Sequence, residues 1–151
     1  NSNYKIKYNK ISSILNEEKY FKLEKKATYK KFLKNINIQK NKLHDFLKLK
    51  IKQKNIIHGY GASTKGNVLL QYFNINRDQI NFIADRNPKK YNLYTPGTKI
   101  KIISEKLSRK MKPKYYLVLP WHFKNEILKR EITIRKKGTK FIFPLPKLKI
   151  L

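Results

Sequence analysis

The first 53 residues have the apolar pattern of helices, preceded by a short alternating segment. Apolar residues and lysines alternate over residues 4–8, which predicts a short half-buried strand. Apolar residues then recur every three to four positions, which predicts two helices with a break near Lys19. The apolar stripe of the longer helix consists of Phe32, Leu33, Ile36, Leu43, Phe46 and Leu47. Such a stripe favours packing into a core, and docking onto another domain or partner is the alternative.

From residue 54 onward, short apolar runs alternate with amphipathic segments. Predicted strands lie at residues 56–57, 80–84, 100–103, 115–119 and 141–143, and predicted helices lie at residues 68–73, from Ser104 onward, and at 123–136. Ser104 is the expected cap of the second helix, and Gly138 is the expected end of the third. Alternation of strands and helices favours a parallel sheet with helices on both faces. We therefore predict an α/β fold over residues 54–151, preceded by a strand and a basic helical arm over residues 1–53.

Composition adds a large positive charge to this fold. The 151 residues include 37 Lys plus Arg and only 9 Asp plus Glu, which gives a formal net charge of +28. Codon bias in an AT-rich genome explains a surplus of lysine, but it does not explain the scarcity of acids. A field of this size attracts polyanions, of which RNA is the most obvious, although charge alone confers no sequence specificity.

Other features of the composition narrow the class of protein. The chain has no cysteine, which excludes disulfides and cysteine-based metal sites. No apolar run approaches the roughly 20 residues that a membrane helix needs, and the first residues lack the apolar core of a secretion signal. We therefore expect no membrane partner, and a location in the cytoplasm or an organellar matrix.

The strongest candidate site is the stretch at residues 55–67, where a strand, a glycine-rich turn and a helix N-terminus follow one another. Turn amides and the helix dipole favour an anion there, and glycine allows a close backbone approach. Gly59 and Gly61 match the opening of a dinucleotide fingerprint, but Thr64 stands where its third glycine belongs. Gly61 and Gly66 are spaced as in a phosphate-binding loop, but Asn67 and Val68 stand where that loop has its Lys and its Ser or Thr. The alternative is that the glycines only form a tight turn.

Two polar clusters follow predicted strands at the same edge of the sheet. Asp85 ends the second strand, where folds of this kind place an acid that binds a ribose. Arg86 is either a ligand contact or the structural partner of Asp85. Trp121 and His122 follow the strand at residues 115–119; the indole is suited to stacking on a ring, and the imidazole to donating to a phosphate or hydroxyl. Capping a helix or packing is the alternative role of His122.

The sequence indicates no catalytic or metal site. Three His, nine acids and no Cys provide no spacing typical of metal ligands. No Ser or His has the context of a catalytic triad, and no two acids form a credible acid–base pair.

Five sequence blocks occur in a fixed order along the chain. They are Gly-Tyr-Gly-Ala-Ser-Thr-Lys-Gly-Asn at 59–67, Asp-Arg-Asn-Pro-Lys-Lys at 85–90, Thr-Pro-Gly-Thr at 95–98, Leu-Pro-Trp-His-Phe-Lys at 119–124 and Gly-Thr-Lys-Phe-Ile-Phe-Pro-Leu-Pro at 138–146. Together they resemble the C-terminal domain of the S-adenosylmethionine-dependent sugar C-methyltransferases. The resemblance covers residues 54–148, and the preceding arm is similar to the segment that joins this domain to the methyltransferase core of the family.

The resemblance implies a Rossmann-like domain that helps to hold a nucleotide-sugar around a diphosphate cleft. It also implies that S-adenosylmethionine and the catalytic residues belong to a core that is absent here, so that this chain holds no cofactor and transfers no methyl group. Lys114 and Lys149 replace acids of the family pattern, and Asn92 replaces a glycine but accepts a left-handed backbone. The implied substrate-binding residues are Gly59, Tyr60, Gly61, Ala62, Ser63, Lys65, Gly66, Asn67, Asp85, Arg86, Asn87, Lys90, Trp121 and His122.

Two other functions stay open at this point. A remnant of such an enzyme, recruited as a non-catalytic RNA-binding component of a ribonucleoprotein such as a mitochondrial ribosome, is consistent with the charge of +28. Its partners would be RNA or ribosomal proteins. An NAD-binding oxidoreductase module is the weaker alternative, because the loop departs from the dinucleotide fingerprint.

Overall fold

The computed structural model describes residues 8–151. The chain divides into two compact units, Asn1–Ile38 and Gln39–Leu151. Helix α1 (Tyr8–Tyr20) belongs to the first unit, and helix α2 (Lys26–Lys52) begins in the first unit and ends in the second. Within residues 8–151, none of the helices has the length and apolar character that crossing a membrane requires.

The described part of the first unit buries little apolar surface. Helix α1 has no buried residue, and near the start of α2 the side chain of Phe32 is 64% exposed. The helix break predicted near Lys19 is confirmed, because a turn follows α1. The strand predicted at residues 4–8 lies outside the described residues, apart from Tyr8, which begins α1.

The second unit is built on a six-stranded sheet with the strand order β3-β2-β1-β4-β5-β6. The strands are β1 (Ile57–Tyr60), β2 (Phe82–Asp85), β3 (Lys101–Ser104), β4 (Tyr115–Val118), β5 (Lys140–Phe143) and β6 (Lys149–Ile150). Strands β1 to β5 are parallel, and β6 pairs antiparallel with β5. The predicted α/β fold is confirmed. The sequence pattern does not indicate β6, because two residues are too few to show an alternation.

The order of the strands creates a switch point beside β1. The chain leaves β1 for β2 and β3 on one side, and it returns to the other side of β1 at β4. The loops that leave β1 and β4 therefore run in opposite directions, which opens a crevice at the carboxyl ends of these strands.

The remaining helices connect the strands. They are α3 (Thr64–Tyr72), α4 (Glu105–Lys110), α5 (Lys124–Arg130) and α6 (Ile132–Lys136), with short 3-10 turns at Pro88–Lys90 and Trp121–Phe123. The predicted cap is confirmed, because the Ser104 hydroxyl oxygen accepts a hydrogen bond from the Leu107 amide at 3.1 Å. The predicted stop is also confirmed, because Gly138 follows α6 with φ of +92°.

The prediction of a single helix over residues 123–136 is wrong, because the chain bends at Glu131 and forms two helices, α5 and α6. The backbone of Glu131 has φ of −96° and ψ of 21°, outside the α-helical range. Its side chain is buried and accepts hydrogen bonds from Tyr60, Arg109 and Arg130. A buried carboxylate must be paired, and the bend places this one among its donors.

The second half of α2 packs within the second unit. Leu43 and Leu47 are fully buried, so the core role predicted for the apolar stripe is confirmed in this half. Lys40 and His44 hydrogen-bond to backbone carbonyls at the C-terminal end of α3. Donors are favourable there, because the last carbonyls of a helix have no partner within the helix.

Candidate functional site

A cleft of about 540 Å³ opens at the carboxyl edge of the sheet, between the loops that follow β1, β2 and β4. We call it the switch-point cleft. Open α/β sheets bind ligands at this position, and the volume lies in the range of small-molecule sites.

The structure brings most of the predicted site residues together around this cleft. Those that line it are Tyr60, Gly61, Ala62, Ser63, Asp85, Arg86, Asn87 and Lys90. Gly59 lies within β1, whereas Lys65, Gly66 and Asn67 lie in the first turn of α3, and these four residues are not among those that line the cleft. Trp121 and His122 line a neighbouring pocket instead.

The amides of the glycine-rich turn are already used within the protein. The Ala62 amide donates to Asp85 Oδ2 at 2.7 Å, and the Gly61 amide donates to the Ala84 carbonyl at 2.8 Å. The Gly66 amide donates to Ser63 Oγ at 3.0 Å. The amides of Gly61, Ala62 and Gly66 thus already donate to groups of the protein, and the predicted anion site at this turn stays a prediction.

Close packing explains two of the glycines. A Cβ atom on Gly59 would lie 2.7 Å from Ile83 Cγ1, and one on Gly66 would lie 2.5 Å from Leu119 Cβ. Gly61 has φ of +80°, a conformation that glycine adopts without strain. The alternative interpretation, in which glycine is needed for a tight and closely packed turn, accounts for all three.

Asp85 is committed to holding the loops around it. Besides the bond from Ala62, it accepts one from the Asn87 amide at 2.8 Å, and Lys90 Nζ lies 3.5 Å from its carboxylate. Lys90, rather than Arg86, is thus the ion-pair partner of Asp85. A carboxylate has about four acceptor positions. Asp85 is buried and has most of these positions occupied by groups of the protein.

A closed ring of ion pairs lies along one wall of the cleft. Arg109 bonds to Glu105 at 2.9 Å and to Glu131 at 2.9 Å, and Arg130 bonds to Glu105 at 2.8 Å and to Glu131 at 3.0 Å. The Arg130 guanidinium also lies over the Tyr60 ring, 5.3 Å from its centroid. Burial raises the pKa of the Glu105 carboxyl, and Arg109 opposes this shift. These four charged residues, which we call the Glu–Arg ring, fix the wall of the cleft.

The pocket beside the cleft has a volume of about 560 Å³ and lies at the carboxyl ends of β4 and β5. Its walls combine aromatic rings with ammonium groups, and we call it the ring pocket. The residues that characterise it are Trp121, His122, Phe123, Lys124, Lys147 and Lys149.

Comparison with known proteins identifies the family. A family model described as the C-methyltransferase C-terminal domain matches residues 2–146. The chain belongs to this family. It is similar to the C-methyltransferase NovU of Streptomyces niveus, with 27% identity over 141 residues. The match covers 93% of this chain but 34% of that relative, so the chain spans about a third of the length of the curated protein it matches.

Several residues of the C-methyltransferase domain line the cleft without having been expected there: Glu105, Pro120, Phe123, Glu126, Ile127 and Arg130. Two sequence signals point to them. The cap Ser104 ends β3 and places Glu105 at the same edge of the sheet, and the segment after β4 begins at that edge as well. Among residues 8–151, no group of three or more His, Cys, Asp or Glu is placed to hold a metal ion.

Proposed function

We propose that this C-methyltransferase C-terminal domain binds the nucleotide-sugar substrate of a sugar C-methyltransferase in the switch-point cleft. Methyl transfer from S-adenosylmethionine belongs to a catalytic core outside these residues. The observation that carries the proposal is the position of the cleft, at the one point of the sheet where the strand order reverses and three carboxyl-end loops meet.

The charges of the cleft support a phosphorylated ligand. Lys90 is paired with Asp85, and Arg130 is held in the Glu–Arg ring. Arg86 lines the cleft and is exposed, and it takes part in none of the ion pairs formed within residues 8–151, although its charge helps to lower the pKa of the Glu105 carboxyl. A guanidinium of this kind binds phosphate oxygens through two parallel hydrogen bonds. We therefore assign the diphosphate contact to Arg86.

Replacing Arg86 tests this assignment. We expect Arg86→Ala to weaken the binding of a thymidine or uridine diphosphate sugar by roughly 10- to 100-fold, since charge-assisted hydrogen bonds contribute about 1.5–3 kcal/mol. Isothermal titration calorimetry on the 151-residue chain measures the change.

Arg77→Ala is the matched control, because Arg77 is also exposed but lies in the turn that leads into β2, at the opposite edge of the sheet. It should leave the affinity unchanged. Equal affinity losses in both variants would show that only net charge matters, and an absence of nucleotide-sugar binding to the unmodified chain would refute the proposal itself.

Binding to RNA is the second candidate, and the charge of +28 is the observation that favours it. Such binding would weaken steeply with salt, because each phosphate contact releases counterions. It would not depend on Arg86 more than on Arg77.

A further inference from the structure

The ring pocket lies beside the switch-point cleft and has a different chemistry. Trp121 is half-buried and packs against a buried core cluster that includes Tyr60, Tyr116 and Phe141, which restrains the indole. His122 and Phe123 continue the aromatic surface, with ring centroids 4.3 Å apart. A fixed indole at the wall of a pocket is a stacking surface for a planar ring.

The charge of the ring pocket favours an anionic molecule. Lys124, Lys147 and Lys149 line it, against the single acid Glu126. A planar ring that carries negative charge nearby satisfies both the aromatic wall and the ammonium groups. A neutral apolar molecule would make no ion pair with the lysines, and a simple anion would not stack on the indole.

The two cavities lie side by side along the edge of the sheet. Phe123 and Glu126 line both of them, so these two residues form their common border. The cleft begins at the end of β2 and the ring pocket extends to β5, three strand spacings away, which is about 14 Å. An elongated ligand is required to occupy both.

We infer that the ring pocket binds the nucleobase of the nucleotide-sugar, stacked on Trp121, while the sugar diphosphate lies in the switch-point cleft. This inference rests on the proposed function and assigns the two ends of the same ligand. It gives Trp121 and His122 a role at a subsite of their own, separate from the loop after β1.

Trp121 makes the inference directly measurable, because it is the only tryptophan of the chain. Thymidine diphosphate should quench the tryptophan fluorescence as it binds, whereas inorganic pyrophosphate should bind in the cleft without quenching. Trp121→Leu, which retains apolar contact with the core, should weaken thymidine diphosphate roughly tenfold and leave pyrophosphate unchanged, in line with the energy of base stacking.

Tyr94→Leu is the matched control, since Tyr94 is an exposed aromatic residue outside both cavities, and it should change neither affinity. If thymidine diphosphate and pyrophosphate bind equally tightly and neither quenches Trp121, the inference fails while the proposed function stands. If neither binds at all, both fail. The fluorescence titration of the unmodified chain decides the question even where Trp121→Leu does not fold.

Discussion

At the scale of single residues, the glycine-rich turn shows how far a motif can be interpreted from sequence. The spacing of Gly59, Gly61 and Gly66 correctly predicts a tight turn between a strand and a helix. The spacing does not reveal which side chains would clash with a Cβ atom at these positions, because Ile83 and Leu119 are distant in sequence. The partner of the Ala62 amide was likewise beyond the sequence, since Asp85 is 23 residues away.

Gly66→Ala should destabilise the fold. The added Cβ atom would meet Leu119 Cβ at 2.5 Å, and this atom is anchored to the backbone just after β4. Overpacking costs about 1–3 kcal/mol, and a 2.5 Å contact between two Cβ atoms belongs at the upper end of this range. Alanine recovers up to about 1 kcal/mol of helix propensity, so we expect a net loss of about 2 kcal/mol in the free energy of unfolding. Urea denaturation measures it.

The exposed neighbour provides the control for this variant. Lys65→Ala alters the same turn of α3 without adding an atom against the core, and it should change the stability by less than about 0.5 kcal/mol. A Gly66→Ala protein as stable as the unmodified chain would mean that the contact with Leu119 relaxes freely.

At the scale of elements, the regular alternation of strands and helices was predictable, and the exceptions have long-range causes. The bend between α5 and α6 depends on Glu131, whose partner Tyr60 is 71 residues away and whose partner Arg109 is 22 residues away. No local pattern encodes such pairings, and the apolar periodicity over residues 123–136 runs through the bend. The 3-10 turn after β4 similarly places Trp121 in the ring pocket instead of the cleft.

Elements β1, α4 and β4 are joined by a buried polar chain. His58 Nδ1 and Ser108 Oγ are 2.8 Å apart, and Ser108 Oγ and the Tyr116 hydroxyl are also 2.8 Å apart. Burial lowers the pKa of His58 to about 4 from its ordinary value of 6.5. The unfolded chain therefore binds the proton more readily than the folded chain between these two pH values.

Stability should consequently fall as the pH drops from 6.5 to 4. The pKa shift of His58 corresponds to about 3 kcal/mol in the free energy of unfolding. This contribution is fully present above pH 6.5 and is lost progressively as the pH falls towards 4. Urea denaturation across this range should show a smaller slope for His58→Gln than for the unmodified chain. Identical slopes for the two proteins would exclude His58 as the titrating group.

At the scale of the whole molecule, the ordered blocks were more informative than the charge. They predicted the family, which the match over residues 2–146 shows, and they pointed to the loops that meet around the cleft. The net charge of +28 is compatible with several partners and selects none of them. The chain spans about a third of the length of the curated relative that it matches.

The most direct test of nucleotide-sugar binding is to follow the backbone amide resonances of the 151-residue chain during titration with a thymidine diphosphate sugar. We predict saturable shifts at the non-proline residues of 60–63, 85–90 and 121–130, which surround the switch-point cleft and the ring pocket, and unchanged resonances in α1. Resonances of the cleft that stay unchanged at millimolar ligand would contradict the account. Resonance shifts that only RNA produces, and that centre on exposed lysines, would instead favour the RNA-binding role in a ribonucleoprotein.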